Sequence, residues 1–170
     1  MTQEEPASSL GLTGGKKDII VVCMFDSIHT YRWLSQFRHE AYVFHLVPSS
    51  PHRRLHPGII GLLREQGAAR YVAPYFGRFL GLPLWLLDKV FDNRLRGAIL
   101  RALTKRVRPV AVHTLEMQNA GYIALRAFQK TPRPDSRLVV TNWGSDIFWF
   151  QRFESHRKRI ANLLSIADFY

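Results

Sequence analysis

Seven consecutive apolar residues at 19–25, Ile-Ile-Val-Val-Cys-Met-Phe, constrain the fold more than any other feature of the chain. A strand with one wet face alternates apolar and polar residues. This run has no polar residue and opens on four β-branched ones, so it reads as a strand buried on both faces, the type found in parallel sheets. Parallel neighbours need a long, usually helical crossover. The next residues supply one. Residues 26–28 read as a turn, and a helix is expected to about Arg38, with Thr30, Trp33, Leu34 and Phe37 on one face. Residues 41–47 form a second strand, ended by Pro48. Strand, helix and strand within about 30 residues are the repeating unit of a parallel α/β sheet.

The unit recurs. Residues 48–78 are punctuated by Pro48, Pro51, Pro57 and Pro74, and hold a short helix near 59–66 and a brief strand near 71–73. Residues 78–106 are helical with a break near Gly81 and Pro83. The second part of that stretch presents Leu95, Ala98, Ile99, Ala102 and Leu103 as an apolar stripe. Arg94, Arg96, Arg101, Lys105, Arg106 and Arg108 occupy much of the rest, with no acid among them, and Pro109 stops the helix. A strand at 110–113 follows, then a helix marked by Met117, Ala120, Gly121, Ala124 and Phe128. After a Pro-rich loop at 131–135 come a strand at 137–141, a loop at 142–146, and a helix over 152–166 with Phe153, Ile160, Leu163, Leu164 and Ala167 inward. The expected architecture is α/β: a Rossmann-like doubly wound parallel sheet over residues 18–170, preceded by a polar disordered tail at 1–17. Binding loops then lie at the carboxyl ends of the strands.

Composition narrows the functional classes. With 46% apolar and 22% charged residues the chain is ordinary globular protein, and one cysteine precludes an internal disulfide. Lys and Arg number 24 against 13 Asp and Glu, a net charge of +11, which favours an anionic partner. The most apolar stretch, 79–87, is interrupted by Pro83 and closed by Asp88 and Lys89, too short for a membrane span. The first residues do not form a secretory signal, so the expected compartment is the cytoplasm.

Familiar cofactor motifs fail. No Gly-x-Gly-x-x-Gly follows the first strand, and Gly11, Gly14 and Gly15 precede it. His52 and His56 have a metal-like spacing, but prolines flank them and no third ligand is evident; no metal is expected. What remains is a set of polar loops after predicted strands. One carries Asp26, Ser27, His29 and Arg32. A second carries His113, Thr114, Glu116, Gln118 and Asn119. A third carries Asn142, Trp143, Gly144, Ser145 and Asp146. Together they can hydrogen-bond a polyhydroxylated ligand and stack on a sugar ring. Ser27 and Asp146 equally suit helix capping, and Trp143 suits packing.

Four segments, in this order, resemble the N-terminal, acceptor-binding domain of a GT-B-fold glycosyltransferase of the family-4 type. They are Asp26-Ser-Ile-His-Thr-Tyr-Arg-Trp33 after the first strand, Arg108-Pro-Val-Ala-Val-His-Thr-Leu-Glu116, Val139-Val-Thr-Asn-Trp-Gly-Ser-Asp-Ile147, and Ser165-Ile-Ala-Asp-Phe-Tyr170. The likeness covers about residues 19–170. It implies one half of a GT-B fold. The activity implied is hexosyl transfer from a nucleotide-sugar to a saccharide or lipid-linked acceptor, without a resident cofactor. A second domain, absent from this chain, would hold the donor, so this half is expected to be inactive alone. Carried over by motif, His113 and Asp146 become the catalytic candidates, as a polar contact to the reacting sugar and a hydroxyl acceptor. Ser27, His29, Arg32, Glu116, Asn119, Trp143, Gly144 and Ser145 become substrate-binding candidates. The chain departs from the family pattern at Val110 and Leu115, lacks the glycine pair often found after the first strand, and has no Glu-x7-Glu.

The basic helix and the apolar stretch beside it suit peripheral contact with an anionic membrane, on the inner face. Two other classes remain: a non-catalytic α/β binding protein, and a basic nucleic-acid-binding module, the latter without a recognisable motif.

Overall fold

Helices cover both faces of a parallel sheet in the computed structural model, which describes residues 15–37, 41–51, 55–65, 69–70, 81–131, 133 and 135–170. The elements in chain order are β1 (Lys17–Cys23), α1 (Ile28–Leu34), β2 (Tyr42–Pro48), α2 (Pro57–Glu65), β3 (Ala69–Arg70), α3 (Gly81–Val90) and α4 (Arg94–Val107). Then come β4 (Ala111–Thr114), a π-turn (Met117–Gly121) running into α5 (Tyr122–Phe128), β5 (Arg137–Val140), the short α6 (Ser145–Phe148) and α7 (Glu154–Ile166). Among the described residues the strand order is β3-β2-β1-β4-β5, and every pairing is parallel. This is the doubly wound Rossmann-like arrangement. The expected strand at 71–73, His52 of the spaced histidine pair, and all but the last residues of the polar tail lie outside the described residues.

The opening apolar run became the central strand. β1 pairs with β2 from Lys17↔Tyr42 to Cys23↔Pro48, and on its other edge with β4 from Ile19↔Ala111 to Val22↔Thr114. Its side chains divide between two cores. Ile20 and Val22 join Leu100, Ile123 and Leu163 from α4, α5 and α7. Val21 and Cys23 join Leu34, Ile59 and Leu62 from α1 and α2. Residues 20–23 are wholly buried. At ~1.5–3 kcal/mol for each large apolar side chain, their burial is a main reason that the sheet forms around this strand.

Three helical expectations need correction. The described part of the first helical stretch is α3, which opens on Gly81 and holds Pro83 in its first turn, where proline's missing N–H costs nothing; residues 78–80 of the expected stretch lie outside the described residues. First, a break that the sequence did not suggest falls at residues 91–93, between α3 and α4. There Asp92 and Asn93 take left-handed φ values of 57° and 58°, a conformation Asp and Asn tolerate better than most residues. Second, the inward face of α4 is Arg96, Gly97, Leu100, Leu103 and Thr104, while Leu95, Ala98 and Ala102 are exposed. Arg96 is 1% exposed. Its Nε donates to Asp88 Oδ2 at 2.7 Å, its Nη1 to the Ser49 carbonyl at 2.6 Å, and its Nη2 to Asn93 Oδ1. Asp88 also accepts from the Leu95 amide at 2.8 Å, satisfying an orphan donor at the start of α4. These bonds turn the helix. Gly97 completes the turn, because a Cβ there would stand 2.9 Å from Arg126 Cγ on α5. Third, Phe153 is half exposed because it precedes α7 as an extended cap. Ile160 and Leu163 carry that helix's burial.

Candidate functional site at the carboxyl rim

β1 lies between β2 and β4, so successive connections leave it in opposite directions. The crevice outside the carboxyl ends of β1 and β4 is where an open sheet of this kind takes ligands. Three loops meet there. After β1, Ser27 caps α1, its Oγ accepting from the His29 amide at 3.2 Å. After β5, the chain folds tightly. Asn142 Oδ1 accepts from the Gly144 amide at 3.0 Å, and the Ser145 amide donates to the Trp143 carbonyl at 2.8 Å. Gly144 sits at φ 74°, ψ −62°, a γ-turn conformation strained for any residue with a Cβ.

Asp146 fastens this loop to the one after β4. Its Oδ2 accepts from the Met117 amide at 3.2 Å and the Trp143 amide at 3.3 Å, and its carbonyl accepts from Gln118 Nε2 at 2.6 Å. The carboxylate is nearly buried. The capping role that sequence left open for Asp146 is thus occupied by backbone amides. Trp143 closes the ring of loops, its indole 5.0 Å from the His29 imidazole. Arg32, Gly144 and Ser145 stand exposed on the same rim.

His113 sits one residue before the end of β4 rather than in the loop. Its Nε2 is 2.7 Å from Thr141 Oγ1, and the Trp33 ring lies edge-on at 4.6 Å. Burial lowers its pKa to about 4, so the imidazole is neutral at physiological pH and acts as a hydrogen-bonding group. Glu116 is buried; its Oε2 accepts from Asn119 Nδ2 at 3.0 Å. Glu116 Oε1 and Asn119 Oδ1 have no hydrogen-bond partner among the described residues. Buried polar atoms in that state are costly unless something fills them.

Beside Asn119 opens a cleft of about 440 Å³, walled by Lys89, Tyr122, Phe150, His156 and Arg159. Tyr122 Oη lies 2.8 Å from His156 Nδ1, and burial raises the phenol's pKa to about 12. Arg159 lies over the Tyr122 ring at 5.4 Å and pairs with Asp92 at 2.9 Å. Burial, and then the Arg96 charge, lower the Lys89 pKa. Burial also lowers that of His156, with Arg159 and Lys89 adding to the effect. Two cations, a phenol and carboxamides suit a polar ligand bearing negative charge.

The cleft takes Gln118 and Asn119 from the residues picked out by sequence, with Glu116 bonded behind Asn119. Ser27, His29, Arg32 and Trp143 form a separate part of the rim. Lys89, Tyr122, His156 and Arg159 escaped sequence reasoning. His156 and Arg159 are three apart on one helix face, a visible spacing, but nothing in the sequence says that this face meets Tyr122. Among the described residues, no three His, Cys, Asp or Glu side chains gather as a metal would require. Compared with known protein families, with curated proteins and with solved structures, the chain matches none.

Proposed function

We propose that this chain is the acceptor-side domain of a glycosyltransferase that moves a hexosyl unit from a nucleotide-sugar to a saccharide or lipid-linked acceptor. A second Rossmann domain holding the donor is part of this reading, so the isolated chain does not turn over. The observation that carries it is the joined rim: three strand-end loops stapled by Asp146 and the His29–Trp143 contact, next to a cleft rich in hydrogen-bonding groups. In such a transfer the bond from the anomeric carbon to the leaving diphosphate breaks, its electron pair leaving with the diphosphate, as the acceptor oxygen bonds to that carbon and its hydroxyl proton passes to the departing diphosphate or to water. The acceptor domain contributes chiefly by orienting the hydroxyl. A neutral His113 suits a hydrogen bond to a sugar, and Trp143 offers an indole for a ring face.

A peripheral membrane seat, on the cytoplasmic face, belongs to the same proposal. Among the described residues no helix is long and apolar enough to cross a membrane. Yet α3 exposes Leu82, Leu86, Leu87 and Val90, and Phe148, Trp149 and Phe153 are exposed beside the cleft's other wall. Arg152 lies over the Phe148 and Trp149 rings at 5.2 and 4.8 Å. Exposed aromatic and aliphatic residues with interleaved cations suit an acidic lipid surface.

The test is transfer from a panel of nucleoside diphosphate hexoses to a polar lipid extract, with the chain in its natural gene context. Wild type should transfer from at least one donor. His113→Ala should lower the rate by roughly 10-fold or more, the scale of one lost transition-state contact. Near-normal rates would remove His113 from the site. Saccharide binding without transfer from any donor would favour the non-catalytic binding protein.

A further inference from the structure

Away from the rim, α4 and the end of α5 enclose a second groove of about 330 Å³, lined by Arg94, Arg101, Arg126, Gln129, Lys130 and Thr131. Four of the six are cationic, and none of the four pairs with a carboxylate among the described residues. Acids that pair do so with other cations: Asp88 with Arg96, Asp92 with Arg159, Glu154 with Arg157 and Lys158, and Asp168, in the adjoining cleft that also takes Gln129, Lys130 and Thr131, with Arg133 and Arg137.

Two of the four side chains are held in place. Arg101 Nη1 donates to Thr131 Oγ1 at 3.0 Å, which fixes its guanidinium across the gap between the helices. The Arg126 stem lies over Gly97, its Cγ 2.9 Å from where a Cβ would be. Both residues are half-buried. Helix-end electrostatics explain part of the cluster, since Arg126 and Lys130 stand near the carboxyl end of α5, where cations are favoured. They do not explain Arg94, the first residue of α4, a helix whose first turn has no acid. There the macrodipole opposes a cation. Like charges gathered against that preference, with two of them oriented by packing, are stabilised by an anion between them. Guanidinium forks match phosphoryl oxygens in geometry and charge.

We infer that the groove between α4 and α5 is a binding site for a phosphoryl or pyrophosphoryl group. Its cations come from Arg94, Arg101, Arg126 and Lys130, and the site is separate from the rim cleft. The phosphoryl group belongs to a free phosphorylated solute or to a lipid headgroup.

The experiment measures thermal unfolding of the full chain with sodium pyrophosphate and with inorganic phosphate, against sodium chloride at matched ionic strength. Saturating pyrophosphate, at about 100 times its Kd, should raise the Tm by roughly 5–10 °C more than chloride does. Arg101→Gln with Arg126→Gln should weaken pyrophosphate binding by roughly 10-fold or more. Because Arg126 also packs on Gly97, a second variant, Arg94→Gln with Lys130→Gln, changes two exposed side chains and should weaken binding in the same direction. A parallel arm measures co-sedimentation with phosphatidylglycerol and phosphatidylcholine vesicles. Variant-sensitive pyrophosphate binding identifies a free ligand. Variant-sensitive binding to phosphatidylglycerol alone identifies a headgroup. If chloride matches pyrophosphate and no vesicle binding depends on these residues, or if folded variants respond to every probe as wild type does, the site is refuted. None of these readouts requires glycosyl transfer.

Discussion

His113 is held under Trp33 with its Nε2 against Thr141 Oγ1, and burial lowers its pKa to about 4 from an ordinary 6.5. Between those values the unfolded chain binds the proton and the native one does not. His113 therefore makes stability rise with pH across that window, by up to about 3 kcal/mol, and the contribution disappears as pH falls from 6.5 to 4. His156, also lowered, adds in the same direction. Urea unfolding at a series of pH values should give a shallower slope in His113→Gln than in wild type over this range; equal slopes would contradict the burial argument. Arg96 offers a second residue-scale test. Arg96→Ala strands the buried Asp88 carboxylate and should cost ~3–5 kcal/mol by urea denaturation. Arg96→Met with Asp88→Leu, which removes both charges, should cost less than the single change.

At the scale of an element, α2 carries two glycines with opposite environments. A Cβ on Gly58 would stand 2.5 Å from two carbons of the Tyr31 ring on α1, whereas one on Gly61 would meet nothing within 4 Å among the described residues. Alanine is worth about 1 kcal/mol more than glycine inside a helix. At Gly61 that gain is unopposed, so Gly61→Ala should raise the Tm by roughly 2–4 °C. At Gly58 the rigid ring, itself stacked on His56 at 5.3 Å, must move, and overpacking of this kind costs ~1–3 kcal/mol. Gly58→Ala should therefore lower the Tm, and scanning calorimetry of both variants reads the difference in sign. Strands were legible from sequence where the chain is apolar on every side, as in β1, or apolar on alternate residues. Helix faces were less so. Periodicity ranks residues by hydrophobicity, and in α4 that ranking put Leu95 inward and Arg96 outward. The reverse holds because Asp88, on a different helix, supplies Arg96 with a buried partner.

On the scale of the whole molecule, the +11 charge is not evenly available to partners. Arg96 is sealed in, and several other cations are paired with acids. Several of the exposed apolar residues flank one cleft: Leu86 and Val90 on the helix that carries Lys89, Trp149 and Phe153 on the segments that carry Phe150 and His156. If this rim rests on acidic lipid, Leu86→Ser with Val90→Ser should weaken binding to phosphatidylglycerol vesicles by roughly 10-fold or more, as should Trp149→Ser with Phe153→Ser. Co-sedimentation checks this, and variants that bind as wild type would place the membrane contact elsewhere.

By itself the sequence determined the parallel α/β class. An unbroken β-branched run at 19–25 followed by an amphipathic helix and another strand has few ways to bury its surface. It also determined which loops end on the carboxyl rim, since polar residues after predicted strands mark them directly. Only the tertiary structure decided how those loops are used. Asp146 caps backbone amides of two loops, His113 lies beneath Trp33, and the cleft is completed by Lys89, Tyr122, His156 and Arg159 from distant segments. The physical reason is one of range. Local periodicity reports which residues leave water, and it is written in neighbours three or four positions apart. Which partner a buried charge or a strand-end carboxylate finds depends on packing between elements tens of residues apart.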